Sequence, residues 1–345
     1  MTQWGIEVEH LRKEFDGTAA VADVSFTVGA GTLLGLLGPN GSGKTTIINC
    51  LTTVLSPDGG RAVVDGCDVV RDPAQVRSRI AVTGQFAALD EVLTGRDNLV
   101  LFGRLLRLSK GQARERAAEL LDRFALGDAA DKQVRTYSGG MRRRLDLAAS
   151  LVVPRRVVFL DEPTTGLDPR SREELWQTIR QLRDDGATIL LTSQYLEEVD
   201  RLADRVVVID AGRVIAEGTG DELKERVGGQ VCEVTVPGAG REAARDALRA
   251  ASREVGEHGE LLVVPVTHPS QLVEIVRLLD DRGIEIDNVT LRRPSLDEVF
   301  FTLTGGAGAT PDDRDGASRR GPTPQRDPTP DGVRGAAAGA DGRRS

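Results

Sequence analysis

An α/β fold, with a small α+β unit behind it and a disordered tail, is what this sequence predicts, on three observations. Strand-like and helix-like stretches alternate from residue 5 to 230, as in a sheet covered by helices. The apolar run Leu33-Leu34-Gly35-Leu36-Leu37 leads into Gly38-Pro39-Asn40-Gly41-Ser42-Gly43-Lys44-Thr45-Thr46 and then a helical stretch over 45–51. Strand, glycine-rich loop of the form G-x-x-x-x-G-K-[ST], and helix start come in the order a phosphate-binding loop requires. From Gly305 onward the chain is Gly, Ala, Pro, Asp and Arg with almost no apolar bulk, too little to offset the entropy of ordering.

Residues 6–11 alternate as an edge strand does, and 21–28 and 60–64 read as strands, with Asp65-Gly66 as a turn. Between about 90 and 150 the pattern turns helical, with apolar spacing over 97–108 and 112–124, an α-rich insertion. Residues 156–160 return as a buried strand. An amphipathic helix at 171–184, a buried strand at 188–192, a strand at 206–209 and a turn at 210–213 into 214–216 complete the first domain, 5–230. A second domain is predicted over 231–304. It has strands at 231–236, 261–266 and 284–291, helices at 242–251 and 271–281, and a terminal helix at 295–303. Its order suggests a split βαβ unit. Residues 305–345 form the disordered tail.

Bulk properties narrow the function classes. Hydrophobic residues make up 39%, enough for a real core, and the net charge of -8 argues against a nucleic-acid partner, which leaves a basic footprint. Cys50, Cys67 and Cys232 are scattered without metal or redox spacing, as are His10, His258 and His268. A reduced cytosolic protein is the simplest account. No apolar run approaches the length of a membrane span, so a membrane role must come through a partner.

Three stretches carry chemistry. In the loop, glycines let backbone N–H groups turn inward, and the helix start adds its positive dipole end. Lys44 is placed to hold β- and γ-phosphates, and Thr45 to ligate Mg²⁺. The strand over 157–160 ends in Asp161 and Glu162. Asp161 fits a Mg²⁺ ligand, and Glu162 fits a general base that activates water. Ser138-Gly139-Gly140 precedes another helical stretch, so Ser138 is expected as its N-cap beside exposed N–H groups, a second anion site.

Together these motifs resemble the ATP-binding cassette family, whose signature reads Leu-Ser-Gly-Gly-Gln; here Tyr137 and Met141 stand at its ends. The resemblance covers residues 5–304. It implies ATP and Mg²⁺ as ligands, Gln85 as a residue touching Mg²⁺ and facing a membrane subunit, and Asp168 in a loop that pairs across a dimer. Phe15 stands where the family stacks an aromatic on adenine, a reading favoured narrowly over a core phenylalanine. Gln194 occupies the place of a histidine that contacts the γ-phosphate; its amide can donate a hydrogen bond but carries no charge. Gln194 and the segment Pro294-Ser295-Leu296-Asp297-Glu298-Val299-Phe300 look like the daunorubicin-resistance ATP-binding subunits of drug exporters.

That branch implies a head-to-tail homodimer with ATP between residues 38–46 of one copy and 138–140 of the other. It also implies two integral membrane permease subunits, and residence at the cytoplasmic face of the membrane through them. The same resemblance implies a hydrophobic drug or a lipid as the cargo. The alternatives are a soluble cassette ATPase of DNA repair or ribosomes and a regulatory nucleotide-binding module. Against the former, there is one phosphate loop, no CxxC pair and no long heptad run.

Overall fold

A computed structural model describes residues 4–84, 89–226, 230–251, 253–258 and 261–292. Gln85, the 295–303 helix and the 305–345 tail lie outside the described residues. In chain order the first part comprises β1 (Trp4–Phe15), β2 (Thr18–Gly29), β3 (Leu33–Leu37), α1 (Lys44–Leu51), β4 (Gly59–Val64), β5 (Cys67–Asp68), α2 (Pro73–Arg79), β6 (Ile80–Thr83), α3 (Gly95–Leu105), α4 (Lys110–Arg123), α5 (Gly139–Ser150), β7 (Val157–Asp161), α6 (Pro169–Asp184), β8 (Thr188–Ser193), α7 (Leu196–Leu202), β9 (Arg205–Asp210), β10 (Arg213–Gly218) and α8 (Gly220–Arg226).

Ten strands form one sheet in the order β5-β4-β1-β2-β10-β9-β3-β8-β7-β6. The run from β9 to β6 is parallel, whereas β1 pairs antiparallel with β2 and β4. The two halves meet through one parallel pair, Arg213 with Asp23. Every residue of β3, β7 and β8 is buried, because parallel strands are covered on both faces and therefore read as unbroken apolar runs. Alternation still sorts their side chains. Leu33, Val158, Leu160, Ile189 and Leu191 join the core beneath the helical insertion. Leu34, Leu36, Phe159 and Leu190 join the core shared with α1 and the antiparallel strands. Phe159 is wholly buried, a burial that stabilises by about 1.5–3 kcal/mol.

Caps set the helix starts. Ser109 and Gln112 form a reciprocal capping box at α4, Thr94 caps α3, and Asp168 caps α6 with Pro169 in its first turn. Proline loses no hydrogen bond there.

The second part comprises β11 (Gln230–Thr235), α9 (Arg241–Ala250), β12 (Gly256–His258), β13 (Leu261–Val266), α10 (Ser270–Asp280) and β14 (Asn288–Arg292). Its strands pair antiparallel in the order β12-β13-β11-β14, the split βαβ arrangement. Cys232, Val234, Leu248, Leu262, Ile275 and Leu279 form its core. The last strand begins at Asn288, later than the sequence suggests, because residues 281–283 turn and Gly283 takes φ +67°.

Candidate active site

β3 delivers the chain to a loop that folds back over the start of α1. Gly43 has φ +105°, and a Cβ there would meet the Ala20 carbonyl oxygen at 2.4 Å, so only glycine fits. Lys44 is buried, and its Nζ donates to the carbonyls of Gly38 at 2.8 Å and Pro39 at 3.0 Å. Burial holds its ammonium below the usual lysine range, while the carboxylates of Glu162 and Asp161 push the other way. The loop lines a cavity of about 480 Å³ with Phe15, Ala20 and Glu162. Asn40, Gly41, Gly43, Lys44, Thr45 and Thr46 of the loop reach it. Ser42 is buried, its Oγ has no hydrogen-bond partner, and it does not line the cavity. Phe15 is 44% exposed with Lys13 Nζ 5.5 Å from its ring centre, so it is not a core phenylalanine.

Both carboxylates come to this loop. Asp161 ends β7, and its Oδ2 lies 3.1 Å from Thr45 Oγ1. A hydroxyl and a carboxylate are the hard oxygen donors that Mg²⁺ takes beside phosphates, so the donor set fits that ion. Glu162 Oε1 is 3.8 Å from Lys44 Nζ, and Oε2 accepts from Thr165 Oγ1 at 3.3 Å. Glu162 takes φ +46°, a left-handed backbone that costs a non-glycine residue about 1–2 kcal/mol and is held where the surroundings over-determine it.

Thr192, which sequence reasoning passes over, supplies part of that hold. It is the register partner of Asp161 across β7 and β8. Its Oγ1 donates to Asp161 Oδ1 at 2.6 Å and accepts from the Glu162 N–H at 3.0 Å; its carbonyl takes the same N–H at 3.2 Å. Gln194 follows at the end of β8, half-buried, and does not line the cavity.

Ser138 caps α5, accepting from the Met141 N–H at 3.2 Å. Ser138 and Gly139 are exposed and stand apart from the cavity. Gly140 lies so close to α6 that a Cβ would meet Ser171 Oγ at 2.4 Å. Tyr137 has a structural duty: its hydroxyl donates to the Ala129 carbonyl at 2.6 Å. Asp168 accepts from the Ser171 N–H and hydroxyl; those bonds hold its exposed carboxyl below the usual carboxylate range.

Among the described residues no helix is long and apolar enough to cross a membrane. Residues 21–165 match the family described as ABC transporter, and residues 218–304 match the C-terminal domain of DrrA1-3-like ATP-binding proteins. The chain is 53% identical over 307 residues to the daunorubicin resistance ATP-binding protein DrrA3 of Streptomyces coeruleorubidus, covering 88% of this chain and 97% of that one. It is 51% identical to the daunorubicin/doxorubicin resistance ATP-binding protein DrrA of Streptomyces peucetius, over 87% of this chain and 92% of the relative. Among solved structures it is similar to CbiO1 of Clostridium perfringens, part of an ABC transporter complex, at TM-score 0.61 and 25% identity over 72% of this chain and 96% of that one. It is also similar to the ADP conformation of an ATP-binding cassette, at TM-score 0.59 and 26% identity over 64% and 93%. With the loop, the paired carboxylates and the capped Ser-Gly-Gly already in view, these matches agree on one assignment: the chain belongs to the ABC transporter ATP-binding proteins, in the branch of the daunorubicin/doxorubicin resistance ATP-binding subunits.

Proposed function

We propose that this chain is the ATP-hydrolysing subunit of an exporter that moves a hydrophobic drug of the daunorubicin or doxorubicin type, or a lipid, through a separate permease. The observation that carries the ATPase reading is the meeting of Glu162 and Lys44 in one cavity, 3.8 Å separating the carboxylate from the ammonium, with Asp161 behind them 3.1 Å from Thr45 Oγ1. ATP occupies that cavity with its phosphates on residues 38–46 and its base against Phe15. Mg²⁺, held by Thr45, Asp161 and Gln85, would neutralise charge on the phosphates. Glu162 takes the proton of the attacking water, and Gln194 donates a neutral hydrogen bond to the γ-phosphate. Hydrolysis is slow but real.

Two copies pack head to tail, so that Ser138, Gly139 and Gly140 of one meet the ATP held by the other, with Asp168 at the seam. The exposure of Ser138 and Gly139, away from the cavity of their own chain, supports this reading. A second copy completes each site and makes the dimer two-fold symmetric. Closure and opening drive two permease subunits at the cytoplasmic face of the membrane. The domains, 5–230 with its insertion at 90–150 and 231–304, divide the work: the first turns over ATP, the second steadies the dimer or holds the permease.

The test is Glu162→Gln. A general base is worth about 10²–10⁴ in rate, so kcat falls by that order while ATP still binds and the stalled chain dimerises in light scattering. Hydrolysis at the unmutated rate refutes the base. A stalled, ATP-bound chain that stays monomeric beside its permease refutes the shared site.

A further inference from the structure

The turn that carries Glu162 is gripped by one half-buried guanidinium. Arg143 lies on α5, and its side chain is 12% exposed. Its Nε donates to the Pro163 carbonyl at 2.8 Å. Nη2 donates to the Asp161 carbonyl at 3.2 Å and reaches the Glu162 carbonyl at 3.5 Å. Nη1 donates to the Gly84 carbonyl, just beyond β6, with Asp146 Oδ2 3.6 Å away. All three nitrogens of the fork have acceptors, and three of the carbonyls belong to consecutive residues, 161–163.

That arrangement answers a question the site leaves open. Glu162 sits in a left-handed backbone conformation at φ +46°, which persists only under outside constraint. Thr192 fixes the turn on its N–H side. Arg143 fixes it on its carbonyl side, and a rigid planar fork can do so at several oxygens at once where a flexible ammonium cannot. α5 is also the helix that Ser138 caps, so the fork joins the helix of the signature residues to the catalytic turn of the same chain.

We propose that Arg143 is a positioning residue for ATP hydrolysis: by holding the carbonyls of residues 161–163 it aims the Glu162 carboxylate at the attacking water, and it makes that aim depend on the seating of α5. This rests on Glu162 being the base.

The experiment uses the full chain with Arg143→Lys, which keeps charge and approximate reach but loses the fork. At saturating ATP and well below the melting temperature, kcat falls at least about tenfold, a barrier change of about 1.4 kcal/mol. KM and the dissociation constant of a non-hydrolysable fluorescent ATP analogue stay within about twofold, because the interaction acts on the chemical step. Arg144→Lys on the same helix, whose parent side chain pairs with Glu174 at 3.0 Å, keeps its rate. Should lysine not be accommodated, Arg143→Gln is judged by the same criteria. A kcat within about twofold of the unmutated chain overturns the proposal, as does a loss confined to KM or explained by the folded fraction. If Glu162→Gln is fully active, the base assignment fails; if it is inactive while Arg143→Lys is fully active, only the Arg143 inference fails.

Discussion

Replacing Thr192 by valine would exchange one hydroxyl for a methyl in a side chain that still branches at Cβ and is still restricted at χ1. The structure sets the size of the effect. Thr192 is wholly buried and Asp161 is 6% exposed, and the bond between them is 2.6 Å long. A buried hydrogen bond to a charged group contributes about 1.5–3 kcal/mol. The Glu162 N–H keeps an acceptor in the Thr192 carbonyl, so only the Asp161 bond is lost outright. At about 2–4 °C per kcal/mol for a domain of this size, the nucleotide-free protein should melt about 3–12 °C lower. A freed Asp161 carboxylate also presents the wrong face to Thr45, and kcat should fall by about 10–100-fold if most of that energy serves alignment. Thr192→Ser retains the hydroxyl and should recover most of the rate. Calorimetry without nucleotide and a coupled ATPase assay measure both. A valine variant that melts within about 1 °C of the parent and turns over within about twofold would refute the reasoning.

Two further outcomes follow from the packing around Tyr137 and Cys50. A Cβ at position 95 would sit 2.2 Å from the Tyr137 hydroxyl oxygen, so Gly95→Ala should destabilise by about 1–3 kcal/mol. In a Tyr137→Phe background much of that penalty should vanish, and a double-mutant cycle by chemical denaturation that shows no coupling would sink the packing account. Burial pushes the Cys50 thiol up to about 11, and Cys67 and Cys232 are buried too. Iodoacetamide at about pH 8 should therefore label the native chain only through unfolding. The sign for stability is fixed by the raised folded value: the thiol contribution is intact below the unfolded thiol pKa of about 8.5 and drains as pH climbs toward about 11. Fast labelling of Cys50 in folded protein would contradict this.

How much of the site is legible in sequence depends on whether its parts are contiguous. The loop at Gly38 to Thr46 and the pair Asp161-Glu162 announce themselves because residue type and spacing carry the chemistry. Thr192 does not: in a buried strand it reads as one more β-branched residue, and its partner is fixed only by the register of β7 on β8. Arg143 stands among Arg142 and Arg144 and looks like a solvated charged face until α5 is seen against the turn. The conformation of Glu162 is invisible for another reason, since no local signal marks a left-handed residue that is not Gly, Asn or Asp. For the fold, long periodic segments were readable, whereas short pieces such as β5, β12 and α2 have too few residues for a period to emerge.

The single bridge between Arg213 and Asp23 has a consequence for evolvability. The strand that ends in Phe15 belongs to the antiparallel half of the sheet, while the glycine-rich loop springs from the parallel half. Beyond that bridge the seam is stitched by the Gly212 carbonyl, which accepts from the N–H groups of Ala22 and Asp23, and by the Gly212 N–H, which donates to Ser42. In the proposed site, base stacking at Phe15 would sit on the antiparallel wall and triphosphate handling on the parallel one, the two touching where the Ala20 carbonyl abuts Gly43. Under that reading, substitutions at exposed Phe15 would alter the hold on the base with little effect on the carboxylates of β7, whereas substitutions in the core that both walls share would reach both.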